Sequence, residues 1–446
     1  MRKYAECKSV PVLWLGKLPV HWQCKKIGAL FVERKTKVSD KDFAPLSVAK
    51  IGVVPQLETA VKTDAGDNRK LVCSGDFVIN SRSDRKGSCG VSDLDGSVSL
   101  INIVLTPRDE LNSKYVHYLL RSQPFSEEYY RNGRGIVADL WTTRYSEMKS
   151  IMLPVPPRDE QEQIVRFLDW KVSEINKLIN IRRKEIKELE ALKRSVINYT
   201  VTQGLNPNIS IKYSGEQWLG NIPNHWEISK LKRVTKVRNE KGIFNPKVGD
   251  SYIGLENIVS CSNILKTTSS EYELSVQSLC YKGDLAFCKL RPYLAKVIIV
   301  PYDSFCTGEL LILASFDGNM RFLRYVLLHE RFIETVNSST YGAKMPRANA
   351  DFILNLQIPM PSIEEQNIIA DYLDTKCQKI TQTVEYINSL ISVLEEYKIS
   401  LVADVVTGKI DVRGIKVPDY EFVAESADSA TDDNEEAEAV KKIKPA

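Results

Sequence analysis

Residues 14–22 read WLGKLPVHW, and residues 218–226 read WLGNIPNHW. A second pair of segments lies at the same separation along the chain. PVPPRDEQEQIVRFLDWK begins at Pro154, and PMPSIEEQNIIADYLDTK begins at Pro359. Two such pairs in the same order indicate that the chain contains two copies of one structural unit.

Each copy ends on a third shared segment, VTQGL at 201–205 in the first and VTGKI at 406–410 in the second. Three segments that recur in one order, with an offset of about 205 residues, predict a tandem duplication. Between these segments the copies differ greatly, although Gly75-Asp76-Phe77 still matches Gly283-Asp284-Leu285. A kept scaffold with a divergent surface suggests that the two copies recognise different targets with one geometry.

A fainter match pairs Tyr115-Val116 with Tyr325-Val326. Elsewhere in the divergent parts, short runs of β-branched and aromatic residues predict strands, and amphipathic runs predict helices. The predicted strands are 76–80, 98–105 and 295–300, and the predicted helices are 114–122 and 321–330.

The segment that follows each proline-rich marker predicts a long helix, because apolar residues recur there at alternating spacings of three and four. The first copy carries the seams Leu168, Ile175, Arg182, Leu189, Val196 and Val165, Val172, Ile179, Ile186, Lys193. The second copy carries the seams Leu373, Ile380, Ile387, Leu394, Leu401 and Ala370, Cys377, Val384, Ile391, Lys398, Val405. This heptad pattern predicts that the two helices pair. The principal pairing residues are Leu168, Ile175, Ile179, Leu189, Leu373, Ile380, Ile387 and Leu394.

Like units are usually related by a two-fold axis, which would make the paired helices antiparallel and set the two globular parts at opposite ends. A helix of roughly 40 residues spans on the order of 60 Å. The predicted fold class is α+β, a tandem duplication of a mixed α/β domain plus a long helix, with the helices forming an antiparallel coiled coil. The predicted regions are 1–153 and 204–358 (α/β domains), 154–203 and 359–412 (helical spacers) and 413–446 (an acidic tail expected to be disordered).

The net charge of +4 conceals an asymmetry. Residues 424–446 hold 7 acidic against 3 basic residues, which leaves 58 basic against 50 acidic residues, a net charge of +8, in the rest. This excess is compatible with a phosphate-facing surface. The sequence has no run of 18 apolar residues, no secretory leader and no CxxC pair among its 9 cysteines, which predicts a cytoplasmic protein with reduced thiols.

The motifs of common catalytic sites are absent from the sequence. It contains no P-loop, GxGxxG opening a helix, HExxH, GxSxG or methyl-transfer Asn/Asp-Pro-Pro-aromatic motif. Glu185-Ile186-Lys187 resembles part of a nuclease signature but falls on a predicted coiled-coil helix, facing solvent. His21 and His225 occupy equivalent places in the first marker, and with no second metal ligand at suitable spacing they are expected to form structural hydrogen bonds. We therefore expect no catalytic residue and no bound metal or cofactor.

Basic residues in the divergent loops are the candidates for DNA contact, because a guanidinium can bind a guanine edge while neighbouring polar groups bind phosphates. The candidates are Arg82, Arg85, Lys86, Arg131, Arg134 and Arg144 in the first copy, and Lys289, Arg291, Lys344 and Arg347 in the second.

Taken together, the WLGxxPxHW, PxPxxxEQxxI and closing VTxGL or VTGKIDVR segments resemble those of Type I restriction-modification specificity subunits over nearly the whole chain. The resemblance implies a non-catalytic subunit whose two target recognition domains each read half of a bipartite DNA sequence. It also implies two methyltransferase subunits held by the helical regions, with restriction and translocase subunits added. S-adenosylmethionine, ATP and magnesium would belong to these partners.

Two alternatives remain open at this point. A coiled-coil scaffold that joins proteins without reading DNA explains the helices but not the paired basic domains. A recognition subunit of a related split-site system, with methyltransferase and nuclease fused in one partner, has the same sequence features.

Overall fold

The computed structural model of the protein describes residues 2–57, 66–82, 86–135, 141–267, 273–342 and 345–424. The chain forms two compact units, residues 1–183 with 388–446 and residues 184–387. We call residues 2–157 the first head and residues 205–362 the second head. The helical regions, which the sequence suggested as separate domains, are instead divided between the two units, because each head packs on the long helices.

The first unit is built around the first head. Its strands are β1 (Cys7–Ser9), β2 (Lys17–Pro19), β3 (Gln23–Lys26), β4 (Phe31–Glu33), β5 (Lys37–Val38), β6 (Leu46–Ala49), β7 (Gly52–Pro55), β8 (Arg69–Val72), β9 (Phe77–Asn80), β10 (Cys89–Val91), β11 (Gly96–Val98), β12 (Asn102–Pro107) and β13 (Met152–Val155). Its helices are α1 (Ile27–Leu30), α2 (Ser113–Arg121), α3 (Gln123–Arg131), α4 (Tyr145–Met148) and the first part of α5 (Arg158–Gln203).

The second unit is built around the second head. Its strands are β14 (Ile211–Tyr213), β15 (Asn221–Pro223), β16 (Glu227–Lys230), β17 (Thr235–Val237), β18 (Lys241–Phe244), β19 (Tyr252–Ile253), β20 (Ser275–Cys280), β21 (Leu285–Cys288), β22 (Val297–Ile299), β23 (Ser304–Cys306), β24 (Leu310–Phe316) and β25 (Gln357–Met360). Its helices are α6 (Leu231–Val234), α7 (Met320–Leu327), α8 (Glu330–Ser338), α9 (Ala350–Asn355) and the first part of α10 (Ile363–Val406).

A four-stranded antiparallel sheet in the order β10-β9-β12-β4 forms the centre of the first head. Val78 of β9 and Val104 of β12 are cross-strand partners with fully buried side chains. They pack with Val72 and Val98, which belong to a second sheet in the order β11-β8-β5. Complete burial of a valine side chain contributes about 1.5 to 3 kcal/mol, so this cluster stabilises the packing of one sheet on the other.

The second head has a central sheet in the order β22-β21-β24-β17. Its strands are connected as in the first head: the first strand in the chain lies at one edge, and the last strand lies between the first and the second. A second sheet, β18-β20-β23-β19, contains one parallel pair, β19 with β23. The main core of this unit includes Trp218, Trp226, Phe287, Phe322 and Phe332.

A buried carboxylate explains why Gly-Asp recurs at the start of an inner strand in both copies. Asp76 accepts a hydrogen bond from Arg34 Nε at 2.7 Å and another from the backbone NH of Cys73 at 2.9 Å. Asp284 accepts the equivalent hydrogen bond from Arg238 Nε, also at 2.7 Å. Because a buried carboxylate without partners is costly, each aspartate fixes the turn and the arginine together.

The strand predictions are confirmed in part. The predicted strand 76–80 corresponds to β9 and the predicted strand 295–300 to the shorter β22, but the prediction of one strand over 98–105 is wrong. A turn separates β11 from β12, since Asn102 donates hydrogen bonds to Ser99 through both its backbone NH and its side-chain amide. Apolar residues continue through this turn, so the sequence pattern did not reveal it.

The helix predictions are confirmed with one correction. The prediction of 114–122 matches α2, but the predicted helix 321–330 ends earlier, at Leu327 of α7. A new helix, α8, begins at Glu330, and the His329 side chain caps it by accepting a hydrogen bond from the backbone NH of Arg331. None of the helices in the described ranges combines the length and apolar character needed to span a bilayer.

Within the first unit, α5 and α10 run in opposite directions. Lys398 Nζ donates a hydrogen bond to Asn176 Oδ1 at 3.2 Å, and Arg183 forms an ion pair with Glu395 at 3.0 Å. As the residue number rises along α5, the number of its partner on α10 falls.

Within the second unit, the other parts of α5 and α10 are also in contact. Lys193 Nζ donates a hydrogen bond to Thr381 Oγ1 at 3.0 Å, which is the counterpart of the Lys398–Asn176 contact. Ile197 and Val201 of α5 share one core with Leu373 and other residues of α10. The predicted pairing positions are buried or half-buried without exception: Leu168, Ile175, Ile179, Leu189, Leu373, Ile380, Ile387 and Leu394.

Residues 413–424, which the sequence suggested as part of a disordered tail, form hydrogen bonds with α5 in the first unit. Ser173 Oγ donates to the carbonyl of Glu421 at 3.0 Å and accepts from the NH of Val423 at 2.7 Å. Asn176 Nδ2 donates to the carbonyl of Val423 at 3.2 Å. Polar side chains of α5 thus hold the backbone of this segment, and residues 425–446 lie outside the described residues.

A glycine with positive φ follows the end of each long helix, Gly204 at 70° and Gly408 at 75°. A Cβ on Gly408 would lie 2.5 Å from Cδ of Pro19 and 3.0 Å from the ring of Trp22. The closing glycine of α10 thus allows its last turn to pack directly on the first marker segment.

Substitution Gly408→Ala is expected to destabilise the first unit by about 1 to 3 kcal/mol, because the methyl group overlaps Pro19 and the backbone conformation disfavours alanine. Thermal and urea unfolding measure the effect. Gly414→Ala is the matched control, since Gly414 has an ordinary φ and open space around its Cβ position. Equal stability of the two variants would contradict the packing described for Gly408.

Acid is expected to destabilise the second unit through His329. Burial lowers the pKa of His329 to about 4, with a smaller effect from the charge of Arg331, whereas the unfolded value is about 6.5. The unfolded state therefore binds the proton first, so this contribution to stability is present above pH 6.5 and is lost as pH falls toward 4. In His329→Asn, which keeps a capping side chain, urea unfolding should show a smaller loss of stability over this window. An unchanged pH dependence would refute the assignment.

Candidate nucleic-acid interface

The first marker and the first turn of α5 meet at one buried glutamate. Glu160 accepts hydrogen bonds from Tyr4 Oη at 2.5 Å and from His21 Nε2 at 2.7 Å. Arg413, which follows α10, lies 3.9 Å from the same carboxylate. Burial and the negative Glu160 raise the pKa of Tyr4, so its phenol stays a hydrogen-bond donor.

The second copy repeats this arrangement with one change. Glu365 accepts hydrogen bonds from His225 Nε2 at 2.8 Å and from Trp226 Nε1 at 2.9 Å. The expected structural hydrogen bonds of His21 and His225 are therefore confirmed. In the part of the chain that the structure describes, no group of three histidine, cysteine or carboxylate residues is placed to hold a metal ion.

The glutamine after this glutamate fixes the α/β part to the long helix. Gln161 Oε1 accepts a hydrogen bond from the backbone NH of Asn112 at 2.8 Å, just before α2. Gln366 does the same for the backbone NH of Asn319, just before α7, at 2.9 Å. Each glutamine also donates to a proline carbonyl of its own marker at 3.0 Å.

About two helical turns after each glutamine, an aspartate accepts a hydrogen bond from a tyrosine of the same head. Tyr118 Oη donates to Asp169 at 2.7 Å, and Tyr325 Oη donates to Asp374 at 2.7 Å. Tyr118 is thus the counterpart of Tyr325, and the sequence match of Tyr115 with Tyr325 is wrong by almost one helical turn. Burial, with a contribution from the aspartate in each case, raises the pKa of both tyrosines.

Three loop segments of the first head meet at what we call the first loop junction, residues 81–82, 134 and 142–143. The NH of Thr143 donates to the carbonyl of Ser81 at 3.0 Å. Arg134 and Thr142 exchange two backbone hydrogen bonds of 2.9 Å. The junction thus joins the end of β9 to the loop that follows α3.

The second head has the same junction, formed by residues 289–290, 341 and 347–348. The NH of Ala348 donates to the carbonyl of Lys289 at 2.9 Å, and Tyr341 exchanges two backbone hydrogen bonds with Arg347. The two junctions therefore share their backbone and differ in their side chains.

Of the predicted DNA-contacting residues of the first head, Arg82 and Arg134 belong to the first loop junction, and the others lie near it along the chain. Arg82, Lys86, Arg131, Arg134 and Arg144 are exposed, and Arg85 lies outside the described residues. Arg134 has an 85% exposed side chain and lies 3.9 Å from Glu147, while Arg131 forms an ion pair with Glu128.

Two aromatic residues that the sequence reading did not select lie among these cations. The rings of Tyr130 and Trp141 stack with centroids 5.8 Å apart, and Trp141 Nε1 donates to the carbonyl of Tyr130 at 2.9 Å. Lys86 Nζ lies 5.4 Å from the centre of the Tyr130 ring. The spacing of aromatic residues along the chain gave no signal, because the pair forms only when the segment after α3 folds back onto that helix.

At the second loop junction the candidates are more constrained. Lys289 and Arg291 are half-buried, Arg347 is exposed, and Lys344 lies outside the described residues. Arg347 donates two hydrogen bonds to Glu309, one of them from Nε at 2.8 Å. These hydrogen bonds raise the pKa of Arg347, so its charge is permanent.

Residues 223–396 match the family model of the Type I restriction modification DNA specificity domain. The chain is 26% identical over 282 residues to the Type I restriction enzyme MjaVIII specificity subunit of Methanocaldococcus jannaschii, a match that covers 60% of this chain and 64% of that protein, just under two thirds. It is 21% identical to the Type I restriction enzyme EcoDI specificity subunit of Escherichia coli, with 96% of each chain covered. A chain in a solved structure from work on the assembly and conformational transition of the type I R-M system has the same fold, with a TM-score of 0.65, 15% identity and coverage of 88% of this chain and 99% of that one.

Proposed function

We propose that this chain, which belongs to the family of Type I restriction-modification specificity subunits, binds a bipartite, asymmetric DNA sequence, with one half bound by each head. One observation carries this proposal: the two loop junctions share a backbone but present different side chains. The first presents Arg82, Arg134 and an aromatic pair, whereas the second presents an arginine held by Glu309. Different hydrogen-bond donors on the same backbone arrangement are suited to reading two different base sequences.

The duplication supports a common docking geometry for the two heads. Equivalent strand order, equivalent buried Arg–Asp pairs and equivalent glutamines at the start of α5 and α10 all favour descent from one repeated unit. The opposed directions of α5 and α10, together with the buried seams, favour an antiparallel coiled coil. This coiled coil would set the distance between the two half-sites.

The chain is proposed to act without catalysis of its own. Its partners would be two methyltransferase subunits and, in the complete complex, restriction and translocase subunits. Methyl transfer from S-adenosylmethionine and ATP-driven translocation with magnesium would then take place on those subunits, while this chain selects the site.

Genome-wide methylation mapping in cells that express the chain with its cognate methyltransferase should reveal one split DNA motif. Replacing the second head by the head of another specificity subunit should change one half of the motif and leave the other half intact, because each head carries its own docking contacts. A chain without residues 160–199 is the control and should abolish the motif.

If no split motif forms while the methyltransferase is bound and active, DNA reading is refuted and a protein scaffold becomes the better description. If the partner protein that binds this chain carries both methyltransferase and nuclease activities, the fused split-site system replaces the Type I assignment.

Removing the exposed cations of the first head should weaken DNA binding in a salt-dependent way. In the double variant Arg82→Ala/Lys86→Ala, the negative slope of the log binding constant against log salt concentration should become shallower by about 1 to 2. Each lost phosphate contact removes about 0.9 from its magnitude. Fluorescence anisotropy of labelled target DNA with the methyltransferase complex measures this slope. Lys177→Ala/Lys184→Ala removes the same charge from exposed positions of α5 and should leave the slope unchanged. Equal slopes for the wild-type protein and both double variants would show that Arg82 and Lys86 do not contact DNA phosphates.

A further inference from the structure

The second loop junction contains a pre-oriented arginine. Arg347 Nε donates to Glu309 Oε2 at 2.8 Å, and Arg347 Nη2 donates to Glu309 Oε1. A guanidinium has five N–H donors, and this pair uses two of them. The edge formed by Nη1 and the second hydrogen of Nη2 is not used by the pair and has the spacing that matches O6 and N7 of guanine.

The pair contributes little to holding the loops together. The side chains are 45% and 24% exposed, and an ion pair at that exposure contributes about 0 to 1 kcal/mol. Backbone hydrogen bonds already join the same segments, from Lys289 NH to the Glu309 carbonyl at 2.9 Å and from Arg291 NH to the Pro346 carbonyl at 2.8 Å. What the pair does provide is a fixed direction for the guanidinium.

The backbone beside the pair is strained. Arg291 and Ala295 flank the turn Pro292–Leu294 and have positive φ values of 50° and 46°. Non-glycine residues in this region cost on the order of 1 to 3 kcal/mol each and are concentrated at functional sites. Tyr293 within this turn and Tyr341 are 53% and 62% exposed. The Tyr341 side chain is a further hydrogen-bond partner of Arg347, less influential than Glu309, and so helps to orient the guanidinium.

We infer that Arg347, oriented by Glu309, reads a guanine in the DNA half-site bound by the second head. This inference rests on the proposed function and adds Glu309 as a positioning residue. Because the negative Glu309 cancels the charge of Arg347, the pair is poorly suited to attract a phosphate. It keeps directional donors, which suits the uncharged edge of a base in the major groove.

The equivalent position in the first head holds Thr142, which occupies the same place in the backbone exchange with Arg134 as Arg347 does with Tyr341. Threonine cannot make the two-donor contact with guanine. The two heads are therefore expected to read different bases at corresponding positions of their half-sites.

Methylation mapping of the full complex tests the inference with variants of the second head. Arg347→Ala should leave the split motif intact except at one G·C pair of one half, where discrimination falls by about 10- to 100-fold. Arg347→Lys should lose the same position, since lysine lacks the planar two-donor edge. Glu309→Gln should relax that same position by a smaller factor. Arg331→Ala is the control, an exposed arginine of the same head at the opposite end of α8 from Tyr341, and should retain the wild-type motif.

Binding measurements separate a base contact from a phosphate contact. Arg347→Ala should keep the wild-type salt slope, whereas loss of a phosphate contact would lower it by about 1. A lower slope, an unchanged motif, a uniform loss of methylation at every site, or a half-site without a G·C pair overturns the inference while leaving the proposed function in place. A wild-type complex that produces no split motif refutes the proposed function itself.

Discussion

One glutamate at the start of each long helix, Glu160 of α5 or Glu365 of α10, organises the unit around it. Glu160 has a nearly inaccessible side chain, and a charge in that position is tolerated only when hydrogen-bond donors surround it. Those donors are His21 of the first marker and Tyr4 of the segment before it, so this part of the head and the helix start must assemble together. The adjacent Gln161 extends the constraint to the cap of α2. In the second unit, the half-buried Glu365 and the buried Gln366 make the equivalent contacts.

This shared constraint leaves the loops free to diverge. The glutamate and glutamine at the start of each long helix contact the marker of the head and the residue before α2 or α7. The loop junction is formed by other residues, at the end of an inner strand and in the segments that follow α3 or α8. Substitutions at the junction need not disturb the contacts of Glu160 or Glu365. A protein built in this way can change the side chains at a loop junction while keeping how that head is attached to the long helices.

The residues after α10 add a feature that the second unit does not share in its described residues. Ser173 and Asn176 bind the backbone of the segment around Val423, and Asn176 also accepts a hydrogen bond from Lys398. Their counterparts on α10 are Gln378 and Thr381, of which Thr381 bonds to Lys193. The two long helices make equivalent contacts with each other, but within the described residues only α5, through Ser173 and Asn176, also binds the segment around Val423 that follows α10.

The sequence by itself predicted an internal repeat, two long helices and the approximate extent of each α/β part, because these predictions depend on repetition and periodicity along the chain. It also predicted that His21 forms a structural hydrogen bond, although it could not name Glu160 as the partner. Only the tertiary structure decided which tyrosine faces Asp169 and that Tyr130 stacks on Trp141 beside Lys86. These contacts join residues of separate elements, and they form only after the chain has folded. Local spacing along the sequence therefore does not predict them.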